Sequence, residues 1–339
     1  WGCFSLWFAL CERGRWMPGP ASPTFYGQRC APVPGASIRP VILLTGATGT
    51  VGRALLPQLL EQGEEVRALV RDPRGLGRNR VDVRIVLGDL AEMRDQRVRR
   101  QALRGVSTVI HLAAAIRDQS AARIEELNGL ATARLLNTAE EVGVGRFIFF
   151  SAIGATEFQR TRFFRAKALA ERAVTESELP STVFAPSIVY DREDPWITLL
   201  RRLALLPALP LSGSGRARFQ PIWAEDVARC VAADLGRSGN GNGNGDAKRR
   251  WELAGPQVLS YEEMARAVAE ATGHERPIFH VPLNLVRLGL RGVRALAGNA
   301  AFATWEEAEL LEVPMLSDRG DADVRALGVE PRTMAEVLA

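Results

Sequence analysis

Three glycines at three-residue intervals follow a short apolar run at positions 41–45. The run reads Val-Ile-Leu-Leu-Thr, and an amphipathic stretch begins near Val51, which is the pattern of a strand, a tight loop and a helix. In such a unit the N-terminus of the helix presents backbone N–H groups that can bind a phosphate. Gly46 would allow the turn, Gly49 the approach of a phosphate, and Gly52 close contact between helix and strand. The residues predicted to contact this ligand are Gly46, Thr48, Gly49, Thr50, Val51 and Gly52.

Beyond this unit, short β-rich runs alternate with longer helical stretches, which predicts βαβ units and a parallel sheet. The predicted strands are Val41–Leu44, Val66–Val70, Val83–Val86, Thr108–Leu112, Phe147–Phe150 and Thr182–Phe184. The predicted crossover helices are Val51–Gln62, Arg94–Leu103, Ala121–Val142 and Arg162–Ser177. We therefore predict an α/β fold with a Rossmann-like, doubly wound parallel sheet.

After about Ser187 the alternation loosens, and helices are predicted at Ile197–Leu205, Ala224–Leu235, Tyr261–Thr272 and Leu283–Ala297. We expect a dinucleotide-binding domain over residues 40–189 and a small C-terminal α/β lobe over residues 190–339. Some elements of the lobe are expected to return to the sheet. Residues 237–246 read RSGNGNGNGD and predict a flexible loop.

Residues 1–39 differ in composition from the rest of the chain. They hold three of the seven tryptophans, three of the four cysteines and a Pro/Gly-rich stretch from Pro18. The apolar run precedes the arginines, which is the reverse of a secretory signal. We interpret the segment as a flexible tail or a misplaced start, with Met17 as a plausible first residue, and keep a targeting segment or a membrane-surface anchor as alternatives.

Charge and composition argue against several classes of protein. The net charge is +4, but residues 1–40 contribute +3 of it and leave +1 for the other 299 residues, so no nucleic-acid footprint is expected. No apolar run reaches the length of a membrane-spanning helix. The cysteines and the three histidines are too scattered for a disulfide framework or a metal site, which favours a reducing, cytoplasmic environment.

The second predicted strand ends at Val70 and is followed by Arg71 and Asp72. In dinucleotide folds this position chooses between a ribose 2′-hydroxyl, which an acid accepts, and a 2′-phosphate, which an arginine binds. Because a guanidinium pairs with phosphate through two charge-assisted bonds, we favour NADP(H) over NAD(H).

Several motifs together resemble the short-chain dehydrogenase/reductase superfamily: TGATGTVG, LVRDP, Gly88-Asp89-Leu90, VIHLAA, Asn128 and RFIFFSA. The glycine spacing is similar to the atypical NAD(P)H-binding branch, which includes NmrA-like regulators and the nucleotide-binding accessory subunit of respiratory complex I. The segments RARFQPIWAEDVA, ELAGPQVLSYEEM and LGVEPRTMAEV resemble bacterial relatives of that subunit. The resemblance implies that Asp89 and Leu90 lie near the adenine and that Ala113, Ala114 and Ala115 lie near the nicotinamide half.

The catalytic motif of that superfamily is incomplete in this chain. Its enzymes use Tyr-x-x-x-Lys, but Phe163 stands four residues before Lys167 and has no acidic proton to give. We expect Lys167 to hold the nicotinamide ribose, with a role as proton donor as the alternative. Ser151 or Ala152 could occupy the serine position. Tyr190 is not expected to replace the missing tyrosine.

Other candidate residues have less distinctive patterns. We expect His111 to be a buried, hydrogen-bonded histidine and Asp226 to be structural. Arg287, Arg291 and Arg294 share one face of a predicted helix, which is either a solvated face or a surface for anionic lipid or a partner. The candidates for the substrate lobe, chosen by position alone, are Ser212, Arg216, Arg218, Gln220 and Trp223.

Two functions fit these patterns. The first is an NAD(P)H-dependent reductase of a small apolar or quinone-like substrate. The second is a non-catalytic NADP(H)-binding protein that stabilises or regulates an assembly, which would allow peripheral association with a complex or with the inner face of a membrane. The missing tyrosine favours the second, whereas the cofactor motifs do not distinguish the two.

Overall fold

The computed structural model describes residues 40–119, 122–239, 248–274, 276–282, 284–286 and 305–339. The predicted tail at 1–39, most of the loop at 237–246 and the three arginines of the predicted helix Leu283–Ala297 lie outside these residues. None of the helices in the described ranges has both the length and the hydropathy needed to cross a bilayer.

Thirteen strands are described, most of them short. They are β1 (Val41–Thr45), β2 (Glu65–Val70), β3 (Arg84–Leu87), β4 (Val106–His111), β5 (Arg146–Phe150), β6 (Ser181–Pro186), β7 (Val189–Tyr190), β8 (Leu209–Ser212), β9 (Arg218–Phe219), β10 (Ile222–Trp223), β11 (Arg249–Leu253), β12 (Leu259–Ser260) and β13 (Ile278–Val281).

Ten α-helices are described between and after these strands. They are α1 (Thr50–Glu61), α2 (Gln96–Leu103), α3 (Ala131–Glu141), α4 (Arg162–Glu176), α5 (Pro195–Leu203), α6 (Ala224–Gly239), α7 (Tyr261–Ala271), α8 (Trp305–Leu310), α9 (Ala322–Ala326) and α10 (Met334–Leu338). Two 3₁₀ segments, Pro73–Val81 and Glu92–Arg94, and a π-helical turn, Glu126–Leu130, are also present.

Seven of the strands form one parallel sheet in the order β11-β6-β5-β4-β1-β2-β3. The chain starts in the middle of the sheet, runs outward to β3 and then returns to β4 on the other side of β1. In open α/β sheets, ligands bind beyond the carboxyl ends of the strands where this reversal occurs. The predicted Rossmann-like, doubly wound fold is confirmed, and its switch point lies between β1 and β4.

Helices cover both faces of the sheet because strand side chains alternate between them. In β1, Ile42 and Leu44 pack into a core with α1 and α6, whereas Val41 and Leu43 pack into a core with α2, α3 and α4. A third core is built mainly from α5, α7, β8 and α10 and includes Phe164 of α4. This packing on both faces fixes the positions of the carboxyl ends of the strands.

Three local features differ from the predicted elements. The predicted helix Arg94–Leu103 is divided at Asp95, whose carboxylate accepts the Arg97 N–H at 2.8 Å and starts α2 as an N-cap. The 3₁₀ segment Pro73–Val81 was not predicted. The predicted helix Ala121–Val142 includes residue 121, which is not described, and contains a π-helical turn before α3. Such turns occur often at functional sites.

Candidate functional site

The glycine loop makes its closest contact with the end of β4. Gly46 has φ +76°, and a Cβ on it would lie 2.6 Å from the backbone nitrogen of Ala113. A Cβ on Gly52 would lie 2.2 Å from the Gly46 carbonyl oxygen. A side chain at either position would therefore clash with the backbone, for Gly52 with the loop at Gly46 and Ala47.

Gly49 is different because its surroundings are open. Among the described residues, a Cβ on Gly49 would approach one atom closely, the Gly46 carbonyl oxygen at 3.3 Å, and the residue itself is exposed. It is also the N-cap of α1, and no side chain from the described ranges caps that helix. The first N–H groups of a helix have no partner within the helix, so this loop offers donors and room to an anion. The residues present therefore fit a bound pyrophosphate.

The end of β2 carries two residues with opposite charges and different partners. Asp72 accepts the backbone N–H of Arg74 at 2.9 Å and pairs with the Arg74 guanidinium at 2.7 Å. These bonds hold the pKa of Asp72 below its usual value. Arg71 is exposed and donates from Nη1 to the Gln119 side chain at 3.2 Å. Gln119 follows β4, so this bond joins residues from the two sides of β1.

The predicted adenine residues lie after β3. The Asp89 carboxylate accepts the Glu92 N–H at 2.9 Å, which is the first N–H of the short 3₁₀ segment that follows. Leu90 is half-buried and packs with a small apolar group made of Ala115, Ala122 and Leu127. Asp89 and Leu90 thus lie just before the 3₁₀ segment Glu92–Arg94, and Leu90 also contacts residues that follow β4.

Residues 113–115 form a strip of small side chains after β4, and the Asn128 side chain holds this strip by hydrogen bonds to Ala115. This side chain accepts the Ala115 N–H at 3.0 Å and donates to the Ala115 carbonyl at 2.7 Å and the Ile124 carbonyl at 2.9 Å. Asn128 lies inside the π-helical turn, and the turn places its side chain within hydrogen-bond distance of Ala115. Ala113 is half-buried and Ala114 exposed, so the strip presents small residues at the surface beside the glycine loop.

A second buried network fixes His111 beneath the strip. Its Nδ1 lies 2.8 Å from the Thr45 hydroxyl, and its Nε2 lies 2.9 Å from the Thr132 hydroxyl. Thr132 donates to the Asn128 carbonyl at 2.7 Å, and Thr45 accepts the Ala113 N–H at 3.3 Å. Thr132 must then accept from Nε2, and Thr45 donates to Nδ1. The contacts therefore select a neutral imidazole that carries its proton on Nε2.

Burial, and then the charge of Lys167, lowers the pKa of His111 to about 3. Because both ring nitrogens are engaged and the residue is fully buried, it has no free atom for a substrate or a metal. Within the ranges described, no group of three or more His, Cys, Asp or Glu residues is arranged to hold a metal ion.

Lys167 lies on α4 and is 3% exposed. Its Nζ donates to the carbonyl oxygen of Phe150 at 2.6 Å and lies 4.9 Å from the centre of the Phe149 ring and 5.9 Å from that of Phe163. Burial lowers its pKa to about 7, against the opposing influence of Glu171. The amine is therefore held at the carboxyl end of β5 in apolar surroundings, where its charge is sensitive to neighbours.

Ser151 follows the Lys167 acceptor in the chain, but its hydroxyl has another partner. It donates to the carboxylate of Glu171, one helical turn after Lys167. The other carboxylate oxygen accepts from Arg250 Nε at 2.7 Å. The hydroxyl thus belongs to a charged group that reaches β11 at the sheet edge.

The tyrosines of the described region do not replace the missing one. Phe163 is half-buried one turn before Lys167, in the position where the family motif has tyrosine. Tyr190 is completely buried, and burial raises the pKa of its phenol. Tyr261 is 5% exposed and packs against Trp196 in the third core. The structure offers no exposed phenol from these residues.

The remaining candidates divide into structural and exposed residues. Gln220 is buried and accepts the Ser317 N–H at 2.7 Å, and Asp226 is fully buried and accepts the Arg332 N–H at 2.8 Å. Trp223 donates to Asp191 at 3.0 Å. Arg216 and Arg218 are exposed, and Ser212 is half-buried.

Sequence reasoning missed several residues that shape the site. Arg162 binds Asp118 at 2.9 Å and Glu125 at 2.6 Å, which joins the start of α4 to the loop after β4. Gln119, Glu171 and Arg250 were also missed. Their partners lie far away in the chain, and the residues belong to no motif, so only the charges near Lys167 could have suggested Glu171.

Comparison with known proteins gives a consistent result. A family model described as NAD(P)H-binding matches residues 46–233. The mitochondrial NADH dehydrogenase [ubiquinone] 1 alpha subcomplex subunit 9 of Arabidopsis thaliana is 30% identical over 237 residues, which are 66% of this chain and 56% of the relative. This chain therefore spans little more than half of that relative.

Two further proteins resemble this chain over more of their length. The NAD(P)H azoreductase of Xenophilus azovorans is 28% identical over 246 residues, which cover 72% of this chain and 78% of the relative. A nucleoside-diphosphate-sugar epimerase from Staphylococcus aureus superimposes with a TM-score of 0.69 at 21% identity and covers 88% of this chain and 99% of its own. At that identity the likeness to the epimerase concerns the fold alone.

Proposed function

Because this chain belongs to the NAD(P)H-binding family, we propose that it binds NADP(H) at the carboxyl ends of β1 and β4 and reduces a small apolar or quinone-like acceptor. The observation that carries the proposal is the open cradle at Gly49, beside a helix N-terminus that no described side chain caps. An anion with the size of a pyrophosphate would accept from the backbone of Thr48, Thr50 and Val51. The bound nicotinamide would supply the hydride.

The charges after β2 favour NADP(H) over NAD(H). Asp72 would be the acceptor for a ribose 2′-hydroxyl, but its carboxylate already caps the 3₁₀ segment and pairs with Arg74. Arg71 is exposed, and its partner is the neutral Gln119 side chain. A 2′-phosphate would replace that weak bond with charge-assisted bonds, which are about twice as strong.

The missing proton donor favours a particular class of acceptor. Reduction of a simple ketone forms an alkoxide, which is strongly basic and needs an acid in the site. Reduction of a quinone forms a phenolate, whose conjugate acid has a pKa of about 10, so protonation by water suffices. Phe163 and the engaged Ser151 hydroxyl therefore fit a quinone-like acceptor better than a carbonyl substrate. The azoreductase relative is named as a reductase that uses NAD(P)H.

A second function is supported by the burial of the same residues. Lys167 is buried and bonded to Phe150, and the Ser151 hydroxyl faces Glu171, so the polar groups expected in the reaction site are committed to the fold. The Arabidopsis relative is named as a subunit of an NADH dehydrogenase. The alternative is therefore a non-catalytic NADP(H)-binding protein that belongs to an assembly.

The rate at which NADP⁺ leaves the protein separates the two functions. The NADP⁺ complex is mixed with excess NADPH, and the fluorescence of the NADPH that replaces it is followed. A reductase must release NADP⁺ in every turnover, so we expect release at about 1 s⁻¹ or faster. Release over minutes would rule out the reductase and favour the structural role, whereas no binding of NADPH or NADH would contradict both.

A further inference from the structure

We propose that Glu171 is a positioning residue for the dinucleotide site, which holds α4 against the end of β5 and keeps Lys167 cationic. This inference rests on the proposed function in one respect, since Lys167 is taken as the residue that holds the nicotinamide ribose. It adds a role for a carboxylate that no motif marks and whose two oxygens are bonded to Ser151 and Arg250.

Two adjacent contacts join α4 to the end of β5. Lys167 and Glu171 are one helical turn apart and so lie on the same side of α4. Lys167 donates to the Phe150 carbonyl at 2.6 Å, and Glu171 accepts from the hydroxyl of the next residue, Ser151. Phe150 and Ser151, at the end of β5, thus bind successive turns of α4. These two bonds fix the position of Lys167 along the direction of the strand. If Glu171 were lost, the bond from Lys167 to Phe150 would be the one that remains of these two hydrogen bonds between α4 and the end of β5.

The Glu171 carboxylate also has the negative charge and the low exposure needed to stabilise a nearby buried ammonium group. Its side chain is 16% exposed and forms an ion pair with Arg250 of β11 at 2.7 Å. Arg250 is shared with Glu252 at 2.6 Å, so part of its charge is already balanced. Glu171 therefore carries a negative charge that is little screened by water and lies near a buried amine.

The other charged and titratable groups around Lys167 do not supply that negative charge. From β4, His111 faces it as a neutral imidazole with both nitrogens bonded. From β5, the Phe150 carbonyl and the Phe149 ring contact it, and Phe163 contributes a second ring. From β11, Arg250 is positive and Glu252 is bound to Arg250. Glu171 is the group that raises the pKa of Lys167 against the effect of burial.

The test is the pH dependence of dinucleotide binding by the full chain. Affinity for NADPH and for NADH is measured by nicotinamide fluorescence over about two pH units on either side of neutrality. NADH serves as the second probe because it lacks the 2′-phosphate, which titrates near pH 6. In the unchanged protein, affinity is expected to fall as the pH rises through about 7, where Lys167 loses its proton.

Two substitutions should move that midpoint in opposite directions. Glu171→Gln removes the negative charge and should shift the midpoint down by about one pH unit. Arg250→Gln removes the opposing positive charge and should shift it up. A merely structural role for the pair would weaken binding in both variants without opposite shifts. Glu171→Asp, which keeps the charge, should restore most of the original midpoint.

Two further variants serve as controls. Ser151→Ala removes the hydroxyl donor but leaves the carboxylate, so its midpoint should stay close to that of the unchanged protein. Glu157→Gln removes another carboxylate that pairs with α4, through Arg172 at 2.5 Å, but this pair is exposed and should have no effect on the midpoint. If Glu171→Gln does not fold, the upward shift in Arg250→Gln decides the question.

The outcomes separate this inference from the function on which it rests. If the unchanged protein binds neither NADPH nor NADH at any pH, the proposed function itself fails. If binding is observed but neither Glu171→Gln nor Arg250→Gln moves the midpoint, the dinucleotide site stands and the role of Glu171 is overturned. Shifts of both variants in one direction would also overturn it.

Discussion

Gly46 and Ala113 meet so closely that a Cβ on Gly46 would lie 2.6 Å from the backbone nitrogen of Ala113. The two residues follow β1 and β4, the strands between which the sheet reverses direction. The contact therefore fixes the distance between the glycine loop and the strip of small residues opposite it. A dinucleotide site at this place depends on that distance as much as on the loop sequence.

Gly46→Ala should destabilise the protein and abolish dinucleotide binding. The substitution would force alanine into the left-handed conformation of Gly46, which alanine disfavours, and would bring its Cβ into a backbone clash. The free energy of unfolding should therefore fall by at least about 2 kcal/mol. Gly63→Ala is the matched control, because Gly63 has φ +78° but no described atom within 4 Å of its added carbon. Its cost should be about 1 kcal/mol, with binding retained. Equal losses in urea unfolding would show that the contact is unimportant.

Arg71→Ala should change the choice between the two dinucleotides. Loss of the charge-assisted bonds to a 2′-phosphate should weaken NADPH binding by about 10-fold and leave NADH binding nearly unchanged. Arg74→Ala should move the preference toward NADH as well, but by strengthening NADH binding, because it frees Asp72 to accept from a ribose 2′-hydroxyl. The ratio of the two dissociation constants measures both effects. An unchanged ratio in Arg71→Ala would place the 2′-phosphate elsewhere.

Lys167→Arg should weaken NADPH binding although it preserves the charge. Lys167 is 3% exposed, and its Nζ lies over the rings of Phe149 and Phe163, so a planar guanidinium would be crowded there. We expect a loss of about 10-fold in affinity, the value of one hydrogen bond to a charged group. Lys248→Arg is the control, since the other lysine caps the exposed end of α4 through the carbonyls of Thr175 and Ser177. Titration fluorimetry that finds equal affinities in all three proteins would remove Lys167 from the site.

Phe163→Tyr should add carbonyl reduction without improving quinone reduction. The phenol would stand one turn before Lys167 and supply the proton that a developing alkoxide needs, a gain of about 100-fold or more over water. Quinone reduction should stay within the error of the unchanged protein because its product is already a stable anion. Phe163→Leu controls for the change in packing. Oxidation of NADPH is followed with a ketone and with a quinone, and a gain with both or with neither would contradict the proposed class of acceptor.

The protein should lose stability in mild acid because the buried His111 resists protonation in the folded state. The folded-state pKa of this histidine, about 3, lies below the unfolded value of 6.5, so the unfolded chain takes up the proton first as the pH falls. The contribution is complete above about pH 6.5 and is lost between there and about pH 3, at about 1.4 kcal/mol per pH unit. Urea unfolding at several pH values should show a slope that His111→Gln flattens and that His280→Gln, at an exposed site, leaves in place. A slope unchanged in His111→Gln would assign it to other groups.

Much of the sheet could be predicted because its signals are local. Each strand is a short apolar run, and in the first loop the turn at Gly46 and the contact between Gly52 and Gly46 are local as well. The six predicted strands accordingly match β1 to β6 with small differences at the ends. The π-helical turn could not be predicted in this way, because it depends on Asn128 reaching the backbone of Ala115, thirteen residues earlier.

The sequence by itself determined the order of strands and helices along the chain, the glycine loop and the absence of a phenol four residues before Lys167. Only the tertiary structure decided what the polar residues of the site are bonded to. β11 joins the sheet beside β6 and brings Arg250 to Glu171, and the loop after β4 brings Gln119 to Arg71. These pairs are separated by 79 and 48 positions in the chain. Hydrogen bonds and ion pairs depend on distances in space, which the order of residues alone does not specify.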